Sequence, residues 1–189
     1  MNTANPDILL WESFRNGDRD AFAALFRRHY EHLYRYGGKF VDNPAQLEDS
    51  IQELFVELWQ SKSRTPVTSV RAYLLKSLKY KLLKTYRQRR GLIHIAEGQN
   101  VFEWSHEDKL IAGELDAEKS KKVLTALDQL SNRQREIVYL KYFQNLGYEE
   151  IGEVMNINYQ VARNLLYQAI KSLKTLLAGA FVYILLFTR

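Results

Sequence analysis

GYEEIGEVMNINYQVARNLLYQAIKSLKTLL, residues 147–177, holds two helical patterns separated by a break at Asn156-Ile157-Asn158. Tyr148–Met155 reads as a short helix, and Tyr159 opens a longer one that Asn158 can cap through its side-chain oxygen. Gly152 permits close approach of the two helices, and Asn156 tolerates the left-handed backbone that a tight turn requires. Ile151, Val154, Ile157, Ala162, Leu165, Leu166 and Ala169 fall where a helix-turn-helix needs its core. The second helix turns Tyr159, Gln160, Arg163, Asn164, Tyr167 and Lys171 outward. Gln, Asn and Arg near the start of such a helix can read base edges bidentately in a major groove, while Tyr167 and Lys171 suit phosphate. A plain helical bundle with a polar surface is the alternative, and the turn spacing with the Gln-Arg-Asn trio favours DNA.

Upstream, Ser131-Asn132-Arg133-Gln134 is an S-x-x-Q capping box, so a helix begins after Ser131 and runs through Ile137, Val138 and Leu140 to about Phe143. Between Gly91 and about Glu118 no period is sustained. Glu97, Glu103, Glu107, Asp108, Glu114, Asp116 and Glu118 dominate there against Lys109 and Lys119, which reads as a flexible acidic linker. Downstream, LLAGAFVYILLF (176–187) is continuously apolar. A membrane span needs about twenty such residues, so a helix packed on the second domain or covered by a partner is expected instead.

The first half of the chain carries four helical patterns. One runs from about Asp7 to Arg15 and stops at Asn16-Gly17. A second follows Asp18, with Phe22, Leu25, Phe26, His29, Leu33 and Tyr36 on one stripe, and stops near Gly37-Gly38. A third, AQLEDSIQELFVELWQ, follows Pro44; a loop over Ser61–Thr68 leads to the fourth. Period-2 alternation and hairpin dipeptides are lacking. The chain is therefore expected to be all-α: two small helical domains joined by the acidic linker, with bounds at 1–95, 96–118 and 119–178 and an apolar tail at 179–189.

The fourth helix, SVRAYLLKSLKYKLLKTYRQRR (69–90), contains eight Lys or Arg, three Tyr and no carboxylate. Leu74, Leu75, Leu78, Leu82 and Tyr86 share one side, which must be core. Opposite them lie Tyr73, Lys76, Tyr80, Lys84 and Arg87. Cations interleaved with exposed rings suit opened nucleic acid, phosphates meeting the cations and unpaired bases the rings. A solvated basic face whose rings lie along lysine stems is the plainer alternative. The third helix has the opposite sign: Leu47, Ile51, Leu54, Phe55 and Leu58 form its buried stripe. Asp49, Gln52, Glu53, Val56 and Gln60 face away, with Glu57 at the margin. That face cannot bind DNA, and it suits either solvent or a protein partner.

From about Leu9 to Leu177 the chain resembles a bacterial sigma factor of the extracytoplasmic-function group. EDSIQELFVELW (48–59) looks like that family's D-x-x-Q-E-x-F-x-x-x-W helix. The resemblance implies that Asp49, Gln52 and Glu53 dock on the β′ clamp helices of core RNA polymerase. SVRAYLLKSLKYKLL (69–83) is similar to the promoter-melting helix, which implies that Tyr73, Lys76, Tyr80, Lys84 and Arg87 meet the minus-ten element and the melted non-template strand, with the loop before it capturing a flipped base. Residues 130–174 are similar to the domain that binds the β flap and the duplex minus-thirty-five element, which implies contacts from Asn158, Tyr159, Gln160, Arg163, Asn164, Tyr167 and Lys171. A membrane-bound anti-sigma factor and a cytoplasmic location are implied as well. Departures stand at Tyr80 and Lys84, where the family often has Asn and Asp, and at Gly147 and Ala162, which replace Ser and Val.

Composition fits this reading without compelling it. The chain has 189 residues, net charge +5, 46% hydrophobic residues and no Cys. Thiolate metal sites are excluded, and a reducing compartment fits. MNTANPDILLWESF lacks the features of a secretion signal. His29 and His32 flank Glu31 on one helix, but His29 belongs to the apolar stripe and reads as packed. With no phosphate loop and no nucleophile motif, neither an enzyme nor a metal, cofactor or small-molecule substrate is expected. A dimeric regulator reading a palindrome is the stronger rival, and the acidic helix beside the carboxylate-free one argues against it.

Overall fold

The computed structural model describes residues 5–61, 66–89, 102–104 and 117–177, and all regular structure among them is α-helical. The chain divides into two units, Met1–Ile93 and His94–Arg189.

The first unit holds α1 (Pro6–Arg15), α2 (Arg19–Gly37), α3 (Pro44–Ser61) and α4 (Val70–Arg89). Its helix starts are set by side-chain caps. Asn5 Oδ1 accepts from Asp7 N, and Asp18 Oδ1 accepts from Asp20 N at 2.8 Å and Ala21 N at 3.0 Å. Asn43 Oδ1 takes Gln46 N, and Ser69 Oγ takes Ala72 N. Each cap satisfies an amide that the first turn leaves without a partner and is worth about 1 kcal/mol. Gly17, at φ +94°, makes the reversal between α1 and α2.

The apolar stripes read from the sequence meet in this unit's core. Trp11, Phe14, Leu25, Leu33, Tyr36, Leu47, Ile51, Leu54, Leu74, Leu75 and Leu78 are all buried. Rings from three helices interlock: Phe22 lies against Phe14, Phe55 and Trp59 at centroid distances of 5.3, 5.8 and 5.0 Å. Such pairs add about 0.5–1.5 kcal/mol each beyond area burial. His29 is buried as expected, with Nε2 3.3 Å from Asp7 Oδ2. Burial, opposed only in part by Asp7, lowers its pKa from 6.5 to about 4.

The second unit holds α5 (Ala117–Asp128), α6 (Asn132–Tyr142), α7 (Tyr148–Met155) and α8 (Tyr159–Leu176). The capping box is present in both directions, Ser131 N donating to Gln134 Oε1 and Gln134 N to Ser131 Oγ. Asn156 adopts φ +53°, ψ +50°, and Asn158 Oδ1 accepts from Val161 N at 2.8 Å, so α7, turn and α8 form a helix-turn-helix. Ile151, Val154, Ala162, Leu166 and Ala169 are buried, whereas Ile157 and Leu165, also expected in the core, are only half-buried at its edge.

The acidic stretch 96–118 departs from a uniform tether. Its Phe102 and Trp104 are buried in the second unit. Phe102 lies 5.7 Å from the Tyr139 ring, and Trp104 5.8 Å from Tyr139 and 5.2 Å from Phe143. Arg135 ties this segment down: Nη1 donates to Phe102 O, Nε to Leu130 O and Nη2 to Asp128 O. Two large rings taken out of water supply the apolar area that docks this short segment. Ala117 and Glu118, assigned to the linker, already belong to α5. The flexible-linker reading of 96–101 and 105–116, and the apolar tail beyond Leu177, lie outside the described residues.

Candidate nucleic-acid and protein interfaces

Three surfaces carry the chemistry. On α3, burial of Leu47, Ile51, Leu54, Phe55 and Leu58 forces Asp49, Gln52, Glu53, Val56, Glu57 and Gln60 outward, and all six are exposed. The face is therefore an acidic patch around one apolar side chain, Val56, which is 53% exposed. Glu53 and Glu57, a helical turn apart, share a cation from the next helix: Lys81 Nζ lies 2.9 Å from Glu53 Oε2 and 2.8 Å from Glu57 Oε1.

On α4, the single-sign block does not present one basic face. Lys79 is buried, and Lys81 is turned to the α3 carboxylates. Tyr80 and Lys84 are exposed, and Lys76 is half-buried. Tyr73 departs from its expected place among freestanding rings. It is half-buried with its ring edge-on to Trp11 at 5.3 Å, because α1 packs over that end of α4. Arg87 lies in α4, but its side chain is outside the described residues, as are residues 62–65 of the preceding loop.

On α8, Tyr159, Gln160, Arg163, Asn164, Tyr167 and Lys171 are all exposed, Tyr167 at 69%. Several are pre-arranged. Gln160 Nε2 donates to Asn164 Oδ1 at 3.2 Å, and the Arg163 guanidinium lies 5.9 Å from the Tyr159 ring centroid. Tyr159 rests edge-on against Tyr148, whose ring also faces Lys141 Nζ. Asn158 is exposed, but its side-chain oxygen is committed to the cap.

Val161, 43% exposed beside Gln160, adds to this face an apolar side chain that the sequence analysis did not place there. The Lys81 bridge was missed because its partners lie on another helix, and only the placing of Glu57 at the margin of the face hinted at it. No group of three or more His, Cys, Asp or Glu that could hold a metal occurs among the described residues. No described helix is long and apolar enough to cross a membrane.

Comparison with known proteins matches these units separately. The Sigma-70 region 2 family model matches residues 25–91, and the Sigma-70, region 4 model matches residues 120–173. The RNA polymerase sigma factor CarQ of Myxococcus xanthus is 28% identical over 167 residues, covering 88% of this chain and 94% of that protein. The ECF RNA polymerase sigma factor SigK of Mycobacterium ulcerans is 24% identical over 179 residues, covering 89% and 91%. Among solved structures, CnrH in complex with the cytosolic domain of CnrY shares the fold. Its TM-score is 0.64 at 19% identity, over 92% of this chain and 98% of that one.

Proposed function

The chain belongs to the sigma-70 family, in its extracytoplasmic-function group, and serves promoter-specific transcription initiation by RNA polymerase; from that premise we propose how its surfaces divide the work. The α3 face, with Asp49, Gln52 and Glu53, docks on core polymerase. Tyr80, Lys76 and Lys84 of α4 meet the opened minus-ten strand, the ring stacking on an unpaired base and the ammonium groups meeting phosphate. Arg87 extends that set, and Tyr73 shapes it from beneath through its contact with Trp11. Gln160, Arg163 and Asn164 of α8 read base edges of the minus-thirty-five duplex. Tyr159 holds Arg163, and Tyr167 and Lys171 engage the backbone. Asn158 fixes the start of the reading helix.

The observation that carries this reading is the outward projection of Asp49, Gln52 and Glu53 on a helix whose other side is wholly core. Carboxylates so presented repel DNA and suit a basic protein partner. The protein then works as a dissociable specificity subunit in the cytoplasm, without catalysis or a cofactor of its own. CnrH, with the same fold, was solved bound to the cytosolic domain of CnrY. A protein partner that inhibits this chain and is anchored at the membrane is part of the proposal. The test is reconstitution: purified chain added to core polymerase on a promoter library, with start sites mapped. Defined start sites that depend on the chain support the proposal, and unchanged core transcription contradicts it.

A further inference from the structure

Lys81 belongs to the basic block of α4, yet it points at α3. Its side chain is 16% exposed, and its ammonium touches carboxylates of both Glu53 and Glu57, which themselves remain 68% and 66% exposed. Burial of its stem alone would lower the lysine pKa. The hydrogen bonds to Glu57 and Glu53, with their charges, outweigh that and raise it. Lys81 therefore stays charged through the physiological range.

Two glutamates at i,i+4 on one helix repel and spread their rotamers. A shared ammonium between them offsets the repulsion and holds both carboxylates at one point of the α3 face, where Lys81 meets them. Each glutamate keeps most of its surface in solvent, so each can still accept a cation from outside. The trio retains one net negative charge, so it still attracts a basic partner. Fixing side chains before association lowers the ordering cost of binding.

We propose that Lys81 is a positioning residue for polymerase docking, holding Glu53 and Glu57 in the geometry the partner meets, and is not one of the cations that α4 offers to DNA. This rests on the docking reading of α3, and the test separates the two.

The affinity of the full-length chain for core polymerase is measured for Lys81→Met, Lys81→Arg, Glu53→Gln/Glu57→Gln and the triple variant Lys81→Met/Glu53→Gln/Glu57→Gln. Melting temperatures and the salt dependence of binding to a single-stranded minus-ten oligonucleotide are followed alongside. The expected result is a loss of about three- to tenfold for Lys81→Met, with restoration by Lys81→Arg. The Lys81→Met effect should vanish in the Glu53→Gln/Glu57→Gln background, and the oligonucleotide salt slope should be unchanged. A purely structural lysine would lower melting temperature in both backgrounds without this non-additivity. If Glu53→Gln/Glu57→Gln weakens docking while Lys81→Met is neutral or additive, the positioning role is wrong and the docking face stands. If Glu53→Gln/Glu57→Gln leaves affinity unchanged, docking through these carboxylates fails and the Lys81 role with it. A reduced oligonucleotide salt slope with intact polymerase affinity would make Lys81 a phosphate contact and overturn the proposal.

Discussion

A Cβ placed on Gly152 would lie 2.7 Å from the carbonyl oxygen of Ile157, and Ile157 N in turn donates to Gly152 O at 2.9 Å. The added Cβ would meet backbone, and that backbone is held by its own hydrogen bond to Gly152, so nothing can rotate out of the way. Gly152→Ala should gain about 1 kcal/mol from helix propensity, and here it should instead lose about 1–3 kcal/mol through overpacking of the turn. Hydrogen exchange in α7 and α8 reads this directly: faster exchange there, with α1–α4 unchanged, is the expected pattern.

Trp104 is buried against Tyr139 and Phe143 although it lies in a run of acids. Trp104→Ala should destabilise the second unit by about 3 kcal/mol, as large-to-small changes at buried aromatic sites do. Urea unfolding followed by amide exchange in α6 checks it. A tether that merely spans between units would show no change.

His29 supplies a pH dependence. Its native pKa of about 4 lies below the ordinary 6.5, so between these values the unfolded chain binds a proton that the native chain refuses. Its contribution is complete above pH 6.5 and is lost as the pH falls toward 4, by up to about 3 kcal/mol. In His29→Gln this part of the slope should disappear, measured as unfolding free energy across the pH range.

The α8 and α4 surfaces should fail differently. Arg163→Ala should relax base preference at one minus-thirty-five position by about 1–3 kcal/mol. Lys84→Gln should weaken strand binding regardless of sequence and flatten its salt dependence by about one phosphate contact. Competition binding over a promoter library at several salt concentrations distinguishes them.

Much of this architecture is legible in the residues because helices announce themselves locally. The stripes of α2 and α3, the caps at Asp18 and Ser131, and the Asn156 turn all depend on neighbours within one or two turns. What escaped the sequence depends on distant partners. Lys81 and Lys79 look like Lys84 along the chain, and only the packing of α4 against its neighbouring helices separates an ion-paired or buried cation from an exposed one. Tyr73 and Tyr80 are likewise indistinguishable until Trp11 covers one of them. Phe102 and Trp104 lack a period because they dock as an irregular strip on α6, which no helical pattern encodes.

The proposed division of labour between α3 and the helices α4 and α8 is tested most directly by charge reversal on α3. Core polymerase is mixed with wild-type chain, Asp49→Arg or Glu53→Arg, and both complex formation and promoter-specific transcripts are measured. The account predicts that each variant folds, keeps the minus-thirty-five base preference of α8, loses most polymerase binding and yields no specific transcript. Undiminished binding and normal start sites from both variants would contradict it.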